Sequence, residues 1–172
     1  MISVRGKGDF GQILEIVNDA ATAYRGVIPA DRWHDPYMPA QELRAEMAAG
    51  VVFWGCEEEG KLLGVMGLQY VQDVALIRHA YTRTAARGRG IGGALLEHLK
   101  REATAPLLVG TWKAATWAVA FYRKRGFRPT GEEEKTRLLK RYWSIPERQI
   151  EESVVLASQA PVSHAPRGAC RR

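Results

Sequence analysis

A glycine-rich loop is the first stretch whose residue types indicate a particular chemistry. Residues 87–93, RGRGIGG, hold four glycines and two arginines and run directly into helix-forming leucines. A helix N-terminus leaves backbone N–H groups unpaired and carries partial positive charge, so it attracts anions. Glycines let a phosphate approach those groups, and Arg87 and Arg89 add guanidinium donors suited to phosphate oxygens. We therefore expect a pyrophosphate cradle, whose glycines are Gly88, Gly90, Gly92 and Gly93.

Two familiar phosphate-binding patterns do not fit this loop. The spacing satisfies the dinucleotide pattern G-x-G-x-x-G, but that fold needs a carboxylate about 20 positions further on. Residues 106–112, PLLVGTW, stand there without one. The Gly-Lys-Ser/Thr of a Walker loop is also absent. A ligand-free arginine-glycine turn is the remaining alternative, and it is disfavoured because an apolar strand leads in and an amphipathic helix leads out.

The surrounding pattern predicts the elements that must position this loop. Turn signals at Glu59-Gly60 and Gln72-Asp73 divide the preceding stretch into three β-prone runs, which favours an antiparallel meander. The full predicted order is β, α, α, three strands, α, β, α, β, α, β. This order predicts an α+β fold with a mixed, mostly antiparallel sheet of about seven strands flanked by helices. Residues 131–146 form an extra helical segment in this prediction, residues 150–157 a last strand, and residues 158–172 a disordered tail.

Two motifs resemble the GNAT superfamily of acetyl-CoA-dependent N-acetyltransferases. The signature R/Q-x-x-G-x-G/A is matched by Arg87, Gly90 and Gly92. Residues 118–127, AVAFYRKRGF, match the segment A-x-x-F/L-Y-x-x-x-G-F, although Ala115 stands where the family often has asparagine. The resemblance covers residues 1–157 as one domain, because the order of strands and helices also agrees.

The resemblance implies an activity and several site residues. It implies transfer of an acetyl group from acetyl-CoA, as co-substrate, to a primary amine by direct attack. Tyr122 matches the tyrosine that protonates the coenzyme A sulfur in many family members, and a phenol is protonated at neutral pH. Backbone N–H groups near Tyr81 and Thr82 would bind the cofactor and the developing oxyanion, at the end of the family's fourth strand.

The general base is left open by the sequence. Strand alternation predicts that Ile77, His79 and Tyr81 share one face, which would bring His79 near the sulfur. Imidazole suits proton removal near neutral pH. Glu57 on a neighbouring strand is a rival, as is a base that acts through water.

Substrate contacts are expected from the connection between the first two helices, as is usual in the family. In residues 26–39 they would come from Trp33, His34 and Tyr37. Aromatic rings beside Asp31 and Asp35 could receive a cationic amine. The same aromatic residues could instead form a small satellite core under a long loop.

Composition and charge limit which binding partners and which cellular compartment are expected. The formal charge is +6, but three arginines fall in the acid-free residues 158–172, and the other basic residues are scattered, so no nucleic-acid partner is expected. The sequence has no signal-type start and no apolar run that approaches a membrane span, which predicts a cytoplasmic protein without a membrane partner. Cys56 and Cys170 belong to no CxxC pair, so neither a disulfide nor a metal site is expected.

Two other functions stay open on the sequence. One is a non-catalytic regulatory protein of the same fold that binds acyl-CoA. The other is a basic nucleic-acid-binding protein that uses the Arg-Gly loop and the arginine tail. The sheet edges and the extra C-terminal helix would also allow a homodimer.

Overall fold

A computed structural model describes residues 1–158, in which the helices and strands follow the predicted order with one addition. The strands are β1 (Ile2–Arg5), β2 (Val52–Glu58), β3 (Lys61–Val71), β4 (Val74–Thr82), β5 (Leu107–Trp112), β6 (Phe127–Pro129) and β7 (Ser153–Ser158). The α-helices are α1 (Phe10–Ala21), α2 (Ala40–Ala48), α3 (Ile91–Glu102), α4 (Thr116–Arg123), α5 (Glu132–Tyr142) and α6 (Glu147–Glu151). None of these helices combines the length and the apolar character needed to cross a membrane.

The seven strands form one mixed sheet in the order β1-β2-β3-β4-β5-β7-β6. Neighbouring strands are antiparallel except β4 and β5, which are parallel. The predicted meander is confirmed as β2, β3 and β4, joined by tight turns in which Glu59 and Gln72 have φ angles of 51° and 53°. Left-handed residues are typical of such hairpin turns. The predicted α+β class, with a mostly antiparallel sheet flanked by helices, is confirmed.

Helices cover both faces of the sheet. On one face, α3 packs its apolar stripe against alternate residues of β3, β4 and β5 in the largest apolar cluster. On the other face, α1 and α2 pack over β2 and β3, and α5 and α6 pack beside them over β4, β5 and β7. The extra helical segment therefore shares a face with the connection between α1 and α2.

A β-bulge in β4 overturns the predicted alternation of its side chains. Gly67 pairs with Arg78 and Val65 pairs with Tyr81, so two residues of β4 stand opposite Met66 alone. His79, within the bulge, has a φ of 49°. The extra residue shifts the register, so Ile77 packs on the α3 face while Tyr81 packs on the α1 face. The prediction that Ile77, His79 and Tyr81 share a face was wrong.

The C-terminal elements differ from the prediction in one place. The segment 131–146 does contain a helix, α5, but a second short helix, α6, occupies Glu147–Glu151. The last strand therefore begins at Ser153 and not at residue 150. Pro146 caps α6, and its fixed φ suits the start of a helix. The predicted tail lies outside the described residues, apart from Ser158, which ends β7.

Candidate active site

The glycine loop follows β4 and ends as the cap of α3. After Thr82 the chain makes a 3-10 turn at Thr84–Ala86, and Gly90 then forms the N-cap of α3. Gly88 and Gly90 have φ angles of 78° and 79°, a region where a Cβ atom is strained. The backbone therefore requires glycine at both positions. Gly90 has no side chain that could cap the first N–H groups of α3, so these groups can bind an anion.

The other two glycines of the loop let side chains approach the first turn of α3. A Cβ atom at Gly92 would lie 3.4 Å from the ring of Phe121, and one at Gly93 would lie 2.6 Å from Nη2 of Arg125. The Arg125 guanidinium lies 4.0 Å from the centroid of the Phe121 ring and donates to its carbonyl oxygen. A cation thus stands beside the N-terminus of α3, although no motif in the sequence predicted it there.

A gap opens between β4 and β5 next to this loop. The pairing of β4 with β5 is limited to residues Ala75 to Ile77 of β4. Beyond that point β5 continues to Trp112 with β7 as its partner. Residues 78–82 therefore have no strand partner on that side, and their backbone groups that point away from β3 face the gap. A cavity of about 750 Å³ occupies it, reaching from Gly92 at the loop to Trp143 beyond α5.

The two arginines of the loop have different surroundings. Arg87 lines the cavity and donates from Nη2 to the carbonyl oxygen of Ala20 at 3.1 Å. Arg89 forms an ion pair with Glu58 at 2.6 Å, in which both side chains are about half exposed. The structure thus brings Arg87 to the cavity and leaves Arg89 on the surface.

Tyr122 lies in the wall of the cavity. It is 5% exposed, and its ring makes edge contacts with Phe121 and Phe127 at centroid distances of 5.0 and 5.6 Å. Burial raises the pKa of its phenol well above the usual value, and the neighbouring Tyr24 adds to the rise. The phenol is therefore neutral and carries a proton that it can donate.

Three further tyrosines form a cluster in the cavity. Tyr24 contacts Tyr37 at a centroid distance of 5.8 Å and Tyr81, edge-on, at 6.4 Å. Burial raises the pKa of Tyr24 to about 12 and the pKa of Tyr81 well above 10, and it raises the pKa of Tyr37 in the same direction. The predicted residues Tyr37 and Tyr81 thus meet in one place, and Thr82 lines the same cavity.

The other predicted substrate residues lie behind this cluster. Trp33 stacks on Tyr37 at 5.5 Å, and His34 stacks on Tyr37 at 6.2 Å, but neither lines the cavity. The two carboxylates beside the aromatic rings that were expected to receive an amine are both paired with arginine. Asp31 accepts hydrogen bonds from Arg148, and Asp35 forms an ion pair with Arg25. Trp33 and His34 therefore support Tyr37 from outside the cavity.

His79 lines the cavity next to the β4 bulge. Its Nε2 lies 3.1 Å from Oε2 of Glu46, and Nη2 of Arg78 lies 2.7 Å from the same oxygen. Desolvation raises the pKa of Glu46, but hydrogen bonds and the charges of these neighbours outweigh it, so the net pKa is lowered. Ionised Glu46 therefore stabilises the fold above the ordinary carboxylate pKa, and this contribution is lost as pH falls through the lowered value.

The permanently charged side chains among the described lining residues are both arginines. Arg78 and Arg87 line the cavity together with His79, and among the described residues no aspartate or glutamate does. Glu57, the rival base, is held by Arg5 at 2.6 Å and is not part of the lining. Of the two candidate bases, His79 is thus the one that reaches the cavity. The arrangement offers an anion site at α3, neutral phenol donors and one imidazole.

Comparisons with known proteins identify the family and the fold. A family profile described as an acetyltransferase (GNAT) domain matches residues 18–140. The fold is similar to that of PaiA N-acetyltransferase from Thermoplasma acidophilum in complex with coenzyme A, with 15% identity, a TM-score of 0.67, and coverage of 93% of this chain and 99% of that one. It is also similar to that of the ribosomal-protein-S18-alanine N-acetyltransferase from Escherichia coli, with 18% identity, a TM-score of 0.65, and coverage of 96% and 98%. A search of curated protein sequences gave no significant match.

A third similar structure comes from a longer protein. N-acetylglutamate synthase from Neisseria gonorrhoeae, complexed with coenzyme A and N-acetyl-glutamate, shares 20% identity and a TM-score of 0.62 over 92% of this chain and 35% of its own.

The family profile matches most of the chain and includes the glycine loop, the β4–β5 gap and α4. The chain therefore belongs to the GNAT acetyltransferase family.

Proposed function

We propose that this chain is an N-acetyltransferase that moves an acetyl group from acetyl-CoA to a primary amine by direct attack. The observation that carries the proposal is the cavity in the β4–β5 gap. It joins the glycine-capped N-terminus of α3 to a tyrosine cluster, and Tyr122 stands in its wall. Similar proteins of this fold are described in complex with coenzyme A.

The residues at α3 fit the phosphates of coenzyme A. Gly88 and Gly90 hold the loop open by their left-handed backbone, and the N–H groups of the first helical turn have no side-chain cap. Arg87 faces the cavity, and Arg125 stands beside the first turn of the helix. Guanidinium groups and a helix N-terminus both favour bound phosphate.

Acetyl-CoA would supply the thioester whose carbonyl carbon the amine attacks, and the protein would manage the protons. His79 accepts a proton from the attacking nitrogen as the C–N bond forms. The backbone N–H groups of residues 78–82 that face the gap can bind the carbonyl oxygen as negative charge develops on it. Tyr122 donates its proton to the departing thiolate as the C–S bond breaks, and the cycle closes when His79 releases its proton to solvent and Tyr122 regains one from solvent.

Ligand-dependent unfolding tests the first step of this proposal. The midpoint of thermal unfolding would be measured for the protein alone and with acetyl-CoA, CoA, NADH and duplex DNA in turn. A ligand at 100 times its dissociation constant adds about 2.7 kcal/mol, which should raise the midpoint by several degrees in a domain of this size. We expect acetyl-CoA and CoA to do so, and we expect Arg87→Ala to lose much of the shift.

The matched control is Arg89→Ala, which removes an arginine of the same loop that does not line the cavity. It should keep most of the shift. A shift with NADH or DNA but not with CoA contradicts the proposal at its first step. A shift with acetyl-CoA but no thiol release in the presence of a broad set of amines would indicate a non-catalytic acyl-CoA-binding protein.

A further inference from the structure

The cavity continues past the β4–β5 gap into a chamber that the α5–α6 segment helps to build. Trp143, Ile145 and Gln149 line it from this segment, and Tyr37 and Trp112 line it from the rest of the chain. These five residues are called the far chamber below. The segment packs on the sheet face opposite α3, so it is not needed to hold a ligand at the glycine loop.

Trp143 closes the far chamber at the point where β5 leaves β4. Its indole packs on the backbone of Gly110, where an added Cβ atom would lie 3.4 Å from Cζ2 of the ring. The last residue of β5 that pairs with β4 is Val109, directly before this glycine. The indole therefore offers a flat apolar surface at the opening of the gap.

The far chamber suits an uncharged or singly charged guest. Arg78 and Arg87 line the cavity and the described lining contains no carboxylate, so every ammonium group that a guest carries adds repulsion and a guest with several is disfavoured most. Asp31 and Asp35, the nearest carboxylates in the α1–α2 connection, are occupied by Arg148 and Arg25. A polyamine would therefore meet positive charge without compensation, whereas an aromatic body would stack on rings.

The two walls of the chamber are joined to each other. Nε of Arg148, which precedes Gln149 in α6, donates to Asp31 in the α1–α2 connection at 3.0 Å. This pair therefore joins the two segments that supply the lining residues Gln149 and Tyr37. Gln149 is half-buried and offers both a donor and an acceptor to a polar group of a small guest.

We infer that the far chamber binds the acceptor, and that the acceptor is a small primary monoamine carried on an aromatic body. This inference rests on the proposed function and adds the substrate class. The attacking nitrogen would point into the gap toward Tyr122, and the aromatic ring would lie between Trp143 and Tyr37.

Steady-state thiol release from acetyl-CoA tests the inference with three acceptors. They are 2-phenylethylamine, spermidine and a short peptide with a free N-terminal alanine. We expect kcat/KM for 2-phenylethylamine to exceed the other two by at least about tenfold. Trp143→Ala should raise the KM for 2-phenylethylamine by roughly tenfold and leave the KM for acetyl-CoA within about twofold, whereas Trp143→Phe should stay close to wild type.

Gln149→Ala provides a second variant at a half-buried position, and it removes a smaller side chain than Trp143→Ala does. Its effect should also fall on the KM for the amine. Preference for spermidine or for the peptide overturns the inferred acceptor class and leaves the proposed acetyl transfer standing. If Trp143→Ala changes the preferred acyl-chain length of the thioester without changing the KM for the amine, the far chamber holds the acyl group and the inference fails. Absence of transfer to any primary amine, despite stabilisation by acetyl-CoA, overturns the proposed function itself.

Discussion

The two ends of the cavity are made in different ways. At the loop end, contiguous residues supply the site through their backbone, since Gly88 and Gly90 adopt left-handed φ angles and α3 presents uncapped N–H groups. At the far chamber, side chains from separate parts of the chain supply the site, among them Tyr37, Trp112 and Trp143. The first end depends on local dihedral angles, and the second depends on how distant elements pack.

This difference predicts which substitutions should affect ligand binding at each end of the cavity. The loop end should respond to a change at a left-handed glycine and to the loss of Arg87, and it should tolerate side-chain changes at residues such as Arg89 that do not line the cavity. The far chamber should respond to the loss of an aromatic ring or of the bridge between its walls. Such changes should alter the KM for the amine and leave the affinity for acetyl-CoA nearly unchanged.

The largest effect is expected at Tyr122, which belongs to neither end. Tyr122→Phe removes the phenol proton but keeps the ring that packs between Phe121 and Phe127. We expect kcat to fall by about 10³-fold, because a positioned acid contributes 10² to 10⁴ in rate, while both KM values change little. Steady-state kinetics with both substrates would measure this. A large rise in either KM would assign Tyr122 to binding at one of the two ends.

The next effect concerns His79 and the proton of the amine. His79→Gln keeps an amide near Glu46 and removes the base, so kcat/KM should fall by about 10²-fold, less than for Tyr122 because water can take part of the role. Steady-state kinetics with both substrates would measure the loss, and the KM for acetyl-CoA should stay within about twofold of wild type because the base does not hold the cofactor. Unchanged kinetics would show that His79 is a structural partner of Glu46 only.

Sequence could predict the loop end and most of the fold because both depend on local rules. The turns at Glu59 and Gln72, the order of the elements and the glycine cap all follow from short patterns. The bulge at His79 breaks period-two alternation with only a weak local marker, since histidine is enriched at left-handed angles but most histidines do not adopt them. Side-chain alternation on β4 was therefore predicted wrongly.

The residues of the far chamber could not be predicted from the sequence, for a related reason. Trp143 and Gln149 lie more than 100 residues from Tyr37 and meet it only through the packing of α5 and α6 on the sheet. Trp33, His34 and Tyr37 were equally good candidates for substrate contact in the sequence, because no local pattern shows which ring of the loop lines the cavity. Arg125 was missed likewise, because its place beside α3 depends on the contact between α4 and α3.

A smaller effect is expected for a backbone change at the loop end. Gly90→Ala places a Cβ atom at a φ of 79° in open space, so the strain acts alone and should cost about 1 kcal/mol, or roughly 2 to 4 °C in the unfolding midpoint. Gly8→Ala is the matched control, because its Cβ atom would also meet nothing within 4 Å and its φ is not left-handed. Its midpoint should equal that of wild type or rise by about 1 to 3 °C, because alanine restricts the unfolded chain. Equal losses in the two variants would show that the left-handed angle at the loop is not what requires glycine.

The smallest effect is expected where the walls of the far chamber are bridged. Asp31→Asn should raise the KM for the amine by roughly twofold, because the pair with Arg148 is exposed and exposed pairs contribute little. The hydrogen bond from Arg148 lowers the pKa of Asp31, so the bridge should be intact above the ordinary carboxylate pKa and weaken as pH falls through the lowered value. Asp35→Asn is the control, since its partner Arg25 lies in the same part of the chain and joins nothing to α6. Kinetics at low and high salt would compare the variants, and the bridge effect should shrink with added salt. If Asp35→Asn raises the KM as much as Asp31→Asn does, the charge of the connection and not the bridge sets the affinity, and the far chamber is then held together by its apolar contacts alone.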